Sequence, residues 1–229
     1  MNNQKIFSIA IDGPCGAGKS KVSDDVAKAL DIIHLDTGAM YRAVGLYMLR
    51  NGVDPTDAET VSKRVEEVKV DVAYENGLQK TLLMGEDVSS EIRTEQAGAA
   101  ASDVSKVKRV RERMVEMQQE IAKGISLIMD GRDIGTCVLP DATIKIYLTA
   151  DAKERAKRRY DELVRKNVEA DFETVYRDLL ERDHNDMTRE NSPLRQAEDA
   201  VVLDTTPLTQ EEVVDEIIRL LNQRLEAQV

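Results

Sequence analysis

The sequence predicts an α/β fold, a parallel sheet covered by helices on both faces, with a small antiparallel β insert. Three observations carry this. Short apolar runs alternate along most of the chain with segments whose apolar residues recur at helical spacing. A glycine-rich turn, GPCGAGKS, sits where the first apolar run meets the first helix. Between residues 68 and 84 the pattern changes to strict alternation around an Asn-Gly pair, a hairpin signal.

Taken in order, IFSIAI (6 to 11) reads as a buried strand. Gly18 to Leu30 reads as a helix, with Val22, Val26 and Leu30 at spacing four. IIHLD, ending at Asp36, is a second short apolar run, and Gly38 to Asn51 is helical again, stopped by Gly52. Asp57 to Val68 is predicted helical. VKVDVAY and LQKTLLM flank the Asn76-Gly77 turn of the insert. Residues 95 to 122 read as helical. ISLIM (125 to 129) and TIKIYL (143 to 148) are further strands, followed by two charged helices, about 152 to 167 and 172 to 188. VVLD (201 to 204) is a last strand. The final helix runs from Thr209 to Leu225, with Thr209 and Glu212 spaced as a capping box.

Composition bounds what such a fold does. The chain has 229 residues, 41% of them hydrophobic, enough for a substantial core. No run of about 18 apolar residues is present, so no membrane span is expected. MNNQKIFSIAID has no signal-peptide h-region. Two cysteines, Cys15 and Cys137, do not make a disulfide framework, which fits a reducing, cytoplasmic setting. With 32 basic against 43 acidic residues the net charge is -11, which argues against a nucleic-acid-coating protein. Small anionic substrates need only a local cluster of arginines.

Gly13-Pro14-Cys15-Gly16-Ala17-Gly18-Lys19-Ser20 matches G-x-x-x-x-G-K-[ST], between a strand and a helix as that phosphate-binding motif requires. Glycines let backbone N–H groups close around anionic oxygens. The helix starting near Gly18 adds its positive dipole end. Lys19 supplies a charge for the β- and γ-phosphates, and the Ser20 hydroxyl is a Mg²⁺ ligand. Cys15, a thiol near a helix N-terminus, reads as a small residue tolerated in the loop rather than a reactive group.

Ligands of open α/β sheets bind beyond the carboxyl ends of the strands. The glycine loop, Asp36-Thr37 and Asp130-Gly131-Arg132-Asp133 all follow apolar runs directly, so three strand tips are expected on one rim. Asp130 at such a tip is placed to hold a water of the Mg²⁺ shell, and Arg132 with Asp133 offers a donor fork beside an acceptor. In ERDHNDMTRE, Arg182, Asp186 and Arg189 lie along one helical face at i, i+4 and i+7. Two guanidiniums with a carboxylate between them grip a phosphate, although charged helices also carry solvated ion-pair ladders. Arg155, Arg158 and Arg159 make either a mobile lid helix or a wet surface, and KVKRVRERM either a binding or a solvated face. In DTGAMYR, Asp36 or Thr37 caps the following helix, with Tyr41 and Arg42 on its first turns. His34 reads as a strand side chain. No His/Cys cluster has metal spacing, and no N-K-x-D guanine motif is present.

IDGPCGAGKS, LDTGAMYR, EDVSSEIRT, KRVRE, MDGRDIGT, ERAKRRY, ERD and LDTT, in this order, resemble the bacterial cytidylate kinases, from about residue 5 to about residue 225. The resemblance implies a single P-loop kinase domain of three layers, residues 1-229. It carries a CMP-binding insert at about 60-104 and a helical lid at about 152-190. It implies transfer of the γ-phosphoryl group of ATP to CMP or dCMP, with Mg²⁺. Gly13 to Lys21 would hold ATP, and Arg155 and Arg159 would belong to the lid. Thr37, Tyr41, Arg132 and Arg189 would surround the CMP phosphate, with Arg182 and Asp186 on the sugar and phosphate side. Ser102, Arg111 and Asp133 would face cytosine. The family usually has threonine where Lys21 stands here, so a hydroxyl toward the α-phosphate is missing. A monomer is the simplest expectation. The rivals are a kinase with a sugar or shikimate-like acceptor and a nucleotide-sensing module that hydrolyses little.

Overall fold

The computed structural model describes residues 6–75 and 77–227. In chain order the elements are β1 (Ser8–Asp12), α1 (Lys19–Leu30), β2 (Ile33–Asp36), α2 (Thr37–Arg50), α3 (Ala58–Arg64), β3 (Val70–Glu75), β4 (Leu78–Leu83), β5 (Glu86–Asp87), α4 (Glu95–Val104), α5 (Lys108–Ile121), β6 (Leu127–Gly131), β7 (Ile144–Thr149), α6 (Ala152–Arg165), α7 (Phe172–Thr188), β8 (Val201–Asp204) and α8 (Gln210–Glu226). Short 3₁₀ turns lie at Val65–Glu67 and Glu91–Arg93, and one π-helical turn at Ile134–Val138. The chain divides into two compact units. Ile33–Ser126 forms one; the chain before Ile33 and that from Leu127 onward form the other.

In the unit that carries the glycine loop, β1 lies between β6 and β7, and β8 pairs with β7, all parallel. The register sets Ile11 beside Asp130 and Asp12 beside Gly131, so the tips of β1 and β6 end together. Ile9, Ile11, Ile128, Ile146 and Leu148 of these strands form one core with Val22 and Val26 of α1 and Val213, Ile217 and Leu221 of α8. The spacing of four in α1 and α8 is what turns those side chains to one face. Each contributes about 1.5–3 kcal/mol by leaving water. The expected capping box at Thr209 and Glu212 is formed in both directions. Helices α6 and α7 lie along each other. Near their connection the Phe172 ring meets Tyr160 edge-on and stacks on Tyr176.

In the other unit β2 leads straight into α2, and β3, β4 and β5 form a three-stranded antiparallel sheet. The hairpin pairs Val70 with Leu83 and Glu75 with Leu78. Asn76, half of the predicted turn, lies outside the described residues. The short strand β5 was not anticipated; two residues follow the tight turn at Met84 and Gly85 and pair with β4. Helix α2 packs on α4, where a Cβ on Gly45 would meet Ala100 at 2.9 Å.

The segment read as helical over 95 to 122 forms two helices, α4 and α5. The Ser105 hydroxyl donates to the Ser102 carbonyl at 2.9 Å, and Val107 takes extended backbone before α5. Serine offers the chain this local alternative to helical bonding. The helix expected over 57 to 68 ends at Arg64 and tightens into a 3₁₀ turn.

Candidate active site

The glycine loop is built by β1 and α1. Gly13 passes so close to β7 that a Cβ would stand 2.0 Å from the Leu148 carbonyl oxygen, a position only glycine fills. Gly18 ends the loop in left-handed backbone and opens α1. The Lys19 ammonium, buried, donates to the carbonyls of Gly13 and Pro14, each at 2.8 Å, and so closes the loop on itself. Burial, and then the charge of Arg132, push this lysine down to about 8. The Ser20 hydroxyl donates to Asp130 Oδ2 at 2.8 Å, joining the start of α1 to the tip of β6. Pro14, Cys15, Gly16 and Ala17 complete the turn, and Lys21 is exposed on α1.

Asp12, at the last position of β1, was not singled out from sequence. Its carboxylate accepts the amides of Ile134 and Gly135, both at 2.7 Å, and ties the segment after DGRD to β1. Burial pushes Asp12 up to about 6, against the pull of those two amides. Its only sequence signal is a carboxylate ending an apolar run.

The arginine cluster lies in this same unit. Helix α7 ends at Thr188 with Arg189 as its cap, the Arg189 N–H still donating to the Asn185 carbonyl at 3.1 Å. The chain then folds back: the Leu194 N–H donates to the Asp186 carbonyl at 2.7 Å, and Arg189 Nε donates to the Ser192 carbonyl at 2.8 Å. Arg189 lies beside Asp186 by the i, i+3 spacing at the helix end, with 3.7 Å between Nη1 and Oδ1. On its other oxygen Asp186 accepts from Arg132 Nε at 2.7 Å. The carboxylate between two guanidiniums is therefore Asp186 between Arg132 and Arg189. Arg182 is half-buried one turn earlier on α7. Arg189 also stands 3.8 Å from the buried Asp133. Burial works to raise the Asp186 carboxyl, but Arg132, then Arg189 and Lys19, outweigh it and hold it below the usual carboxylate range.

Of the two predicted lid arginines, Arg155 is buried on α6, with its guanidinium on Asp183 and on the Cys15 carbonyl. Arg159 is partly exposed and paired with Glu162 at 2.7 Å. Asp183 was not picked from sequence; nothing in the spacing of Arg155 and Asp183, 28 residues apart, announces the contact.

The other unit gathers the remaining candidates. Asp36, not Thr37, is the cap of α2, accepting the Ala39 amide at 2.9 Å, and it holds Arg42 at 2.8 Å. Thr37 is buried as the first helical residue, with Tyr41 one turn on. Gln79 of β4 accepts the Asp36 amide at 2.8 Å and donates to its carbonyl, so the hairpin is stitched to the start of α2. Arg111 of α5 is buried, its guanidinium 5.4 Å from the centre of the Tyr41 ring, a cation–π contact. Ser102 is half-buried on α4.

Among the described residues no helix is long and apolar enough to cross a membrane. The family model for cytidylate kinase matches residues 9–223. A cytidylate kinase from Caldicellulosiruptor bescii is 51% identical over 216 residues, 94% of this chain and 96% of that protein. One from Mycolicibacterium paratuberculosis is 50% identical over 219 residues, 95% and 96% of the two chains. The crystal structure of a gluconokinase from Sinorhizobium meliloti shares the three-layer fold at 14% identity, with a TM-score of 0.51 over 97% of this chain and 95% of that one. With a glycine-rich loop at the end of β1 and a partly buried arginine cluster in the same unit, this chain belongs to the cytidylate kinase family.

Proposed function

We propose that the protein transfers the γ-phosphoryl group of ATP to CMP or dCMP, giving ADP and CDP or dCDP, as a step of pyrimidine nucleotide metabolism. One observation carries this beyond family membership. The Ser20–Asp130 hydrogen bond and the register of Asp12 with Gly131 set Arg132, and through it Asp186 and Arg189, at the strand ends that carry the lysine loop. A phosphate seat beside a second anion grip suits a phosphorylated acceptor better than water or a neutral sugar.

In this reading Gly13 to Lys21 hold the donor phosphates, and Lys19 exchanges its loop carbonyls for phosphate oxygens. At Lys21 the backbone N–H serves in place of a hydroxyl. Thr37, Tyr41, Arg132 and Arg189 surround the acceptor phosphate, with Arg182 and Asp186 on its sugar side. An oxygen of the CMP phosphate attacks the γ-phosphorus in line, and the bond to the ADP oxygen breaks. No general base is needed, because the acceptor phosphate is already ionised near neutral pH. The protein's work is alignment and charge neutralisation. Ser102, Arg111 and Asp133 read cytosine, and a wrong base leaves buried polar groups unpaired. The insert, about 60 to 104, is the CMP-binding region. The lid, about 152 to 190, brings Arg155 and Arg159 to the ATP side and keeps water from competing as acceptor.

The oxygens of Ser20 and Asp130, 2.8 Å apart, are the hard donors that Mg²⁺ takes. Ser20 would ligate the ion and Asp130 would hold one of its waters. Among the described residues no group of three or more His, Cys, Asp or Glu forms a cage. That suits an ion which keeps its waters and binds phosphate oxygens. When bound, Mg²⁺ neutralises charge on the β- and γ-phosphates. Cys15 and Cys137, not joined in a disulfide, accord with a cytoplasmic setting, and the protein is taken as a monomer.

The test is direct. The protein is incubated with ATP and Mg²⁺ and offered CMP, dCMP, UMP, AMP or water alone. CDP and dCDP are the expected products. Phosphate release without a diphosphate would replace the kinase with a nucleotide sensor.

A further inference from the structure

Cys15, at the bend of the glycine loop, is held by both of its backbone groups. Its N–H donates to Asp183 Oδ1 at 3.1 Å, and its carbonyl accepts from Arg155 Nη1 at 2.8 Å. The same Arg155 nitrogen donates to Asp183 Oδ2 at 2.6 Å, which closes the ring of contacts. Arg155 Nε is anchored on the Ala150 carbonyl at 3.0 Å. Both side chains are more than nine-tenths buried, 7% and 9% exposed. The next residue touches the same two helices. A Cβ on Gly16 would stand 3.1 Å from the Arg155 carbonyl oxygen and 3.4 Å from Leu179 Cδ1.

A carboxylate buried against an anion-binding loop opposes the anion. It is tolerable only if its charge is cancelled on the spot, which Arg155 does. The arrangement makes sense as positioning. A residue gripped at both N–H and C=O cannot rotate its peptide planes, so the amides that follow it in the loop hold one orientation. The grip comes from two helices at once, Arg155 from α6 and Asp183 from α7. The shape of the loop is thereby coupled to the packing of that helix pair.

We propose that Arg155 and Asp183 are positioning residues for ATP. They preorganise the phosphate loop through the backbone of Cys15, and Asp183 acts without touching the nucleotide. This rests on ATP being the ligand of the loop, as in the proposed function, and adds a buried pair that sets its affinity.

The experiment compares Asp183→Asn and Arg155→Met with the parent protein. ATP affinity is measured by calorimetry, KM for CMP by turnover, and hydrogen exchange over the loop by mass spectrometry without nucleotide. Expected are an ATP Kd raised about tenfold or more, a KM for CMP within about twofold of the parent, and faster exchange of the Cys15 amide. Arg155→Lys, which keeps a donor for the Cys15 carbonyl, should recover part of the loss. An unchanged ATP Kd, an unchanged exchange rate, or an ATP Kd and a CMP KM that rise in proportion would each overturn the proposal. Should Arg155→Met not fold, Asp183→Asn decides alone, since it keeps both size and an acceptor. A parent protein that binds ATP but forms no CDP would remove the kinase reading, and the ATP Kd values would still judge the clamp.

Discussion

Among the described residues, each unit carries a set of one carboxylate between two arginines. In the unit of the antiparallel sheet, Glu66 takes Arg113 at 3.1 Å and Arg109 through Nη2 at 3.3 Å. In the unit of the parallel sheet, Asp186 takes Arg132 at 2.7 Å and Arg189 at 3.7 Å. The composition is nearly the same and the surroundings differ. Glu66 is 46% exposed, so water and salt screen its pairs and they add little to stability. Asp186 is 14% exposed and Arg189 5%, with only Arg132 at 27% as open as Arg113, so the field of this set persists over several ångströms and acts on whatever binds there. A single stretch, KRVRER, supplies both exposed and buried arginines. Arg109 and Arg113 turn to Glu66, while Arg111 between them is buried on Tyr41. Residues two apart on a helix point to nearly opposite sides. Arginine count therefore says little about where an anion is held, and burial of the paired set says more.

The comparison can be broken by mutation. The largest effect is expected in the buried set and at the loop lysine. Arg189→Ala and Lys19→Ala should each lower CDP formation by about a thousandfold with the circular dichroism spectrum retained; near-parental turnover in either would reject its role. Next is Asp133→Ala, beside Arg189. It should relax base choice more than it slows transfer, narrowing the CMP-to-UMP ratio of kcat/KM by about tenfold or more. An unchanged ratio would remove Asp133 from base reading.

A smaller effect concerns Asp12 and reads as a pH dependence. Its folded value of about 6 stands above the ordinary 3.8, so between these the folded chain holds more protons than the unfolded one. The stability this carboxyl adds is full below about 4 and is lost as pH rises through about 6. Urea unfolding of Asp12→Asn across that window should show a stability that falls less with pH than the parent's; parallel curves would refute the assignment. The smallest effect belongs to the exposed set. Arg113→Ala should leave turnover within about twofold of the parent. A large loss there would end the distinction between the two sets.

Local signals were readable where one segment carries its own structure. The alternation of β1, the hairpin of β3 and β4, the helical face of α1 and the capping box of α8 all appear where their patterns place them. The break at Ser105–Val107 did not show, because a few good helix formers on each side mask one serine that bonds back to its own turn. The glycine loop was legible as contiguous sequence. The arginine cluster was named residue by residue, and Asp186 and Arg189 meet at the end of α7 by helical spacing, but the pairing of Asp186 with Arg132, 54 residues earlier, left no mark in the sequence. Asp12, Gln79 and Asp183 had no pattern to reveal them, each acting on a partner between 43 and 168 residues away.

The family came from the resemblance of its motifs, while chain-local chemistry was enough for the order of strands and helices and for the glycine-rich loop. These depend on spacing, glycine and hydrophobic period, which act over a few residues. Folding alone chose which carboxylate stands between which arginines, which guanidinium is buried, and that Arg155 and Asp183 close on Cys15. Such pairings are set by the parallel register of β1 with β6 and by the packing of α6 on α7. Contacts so distant in the chain leave no periodic trace in it.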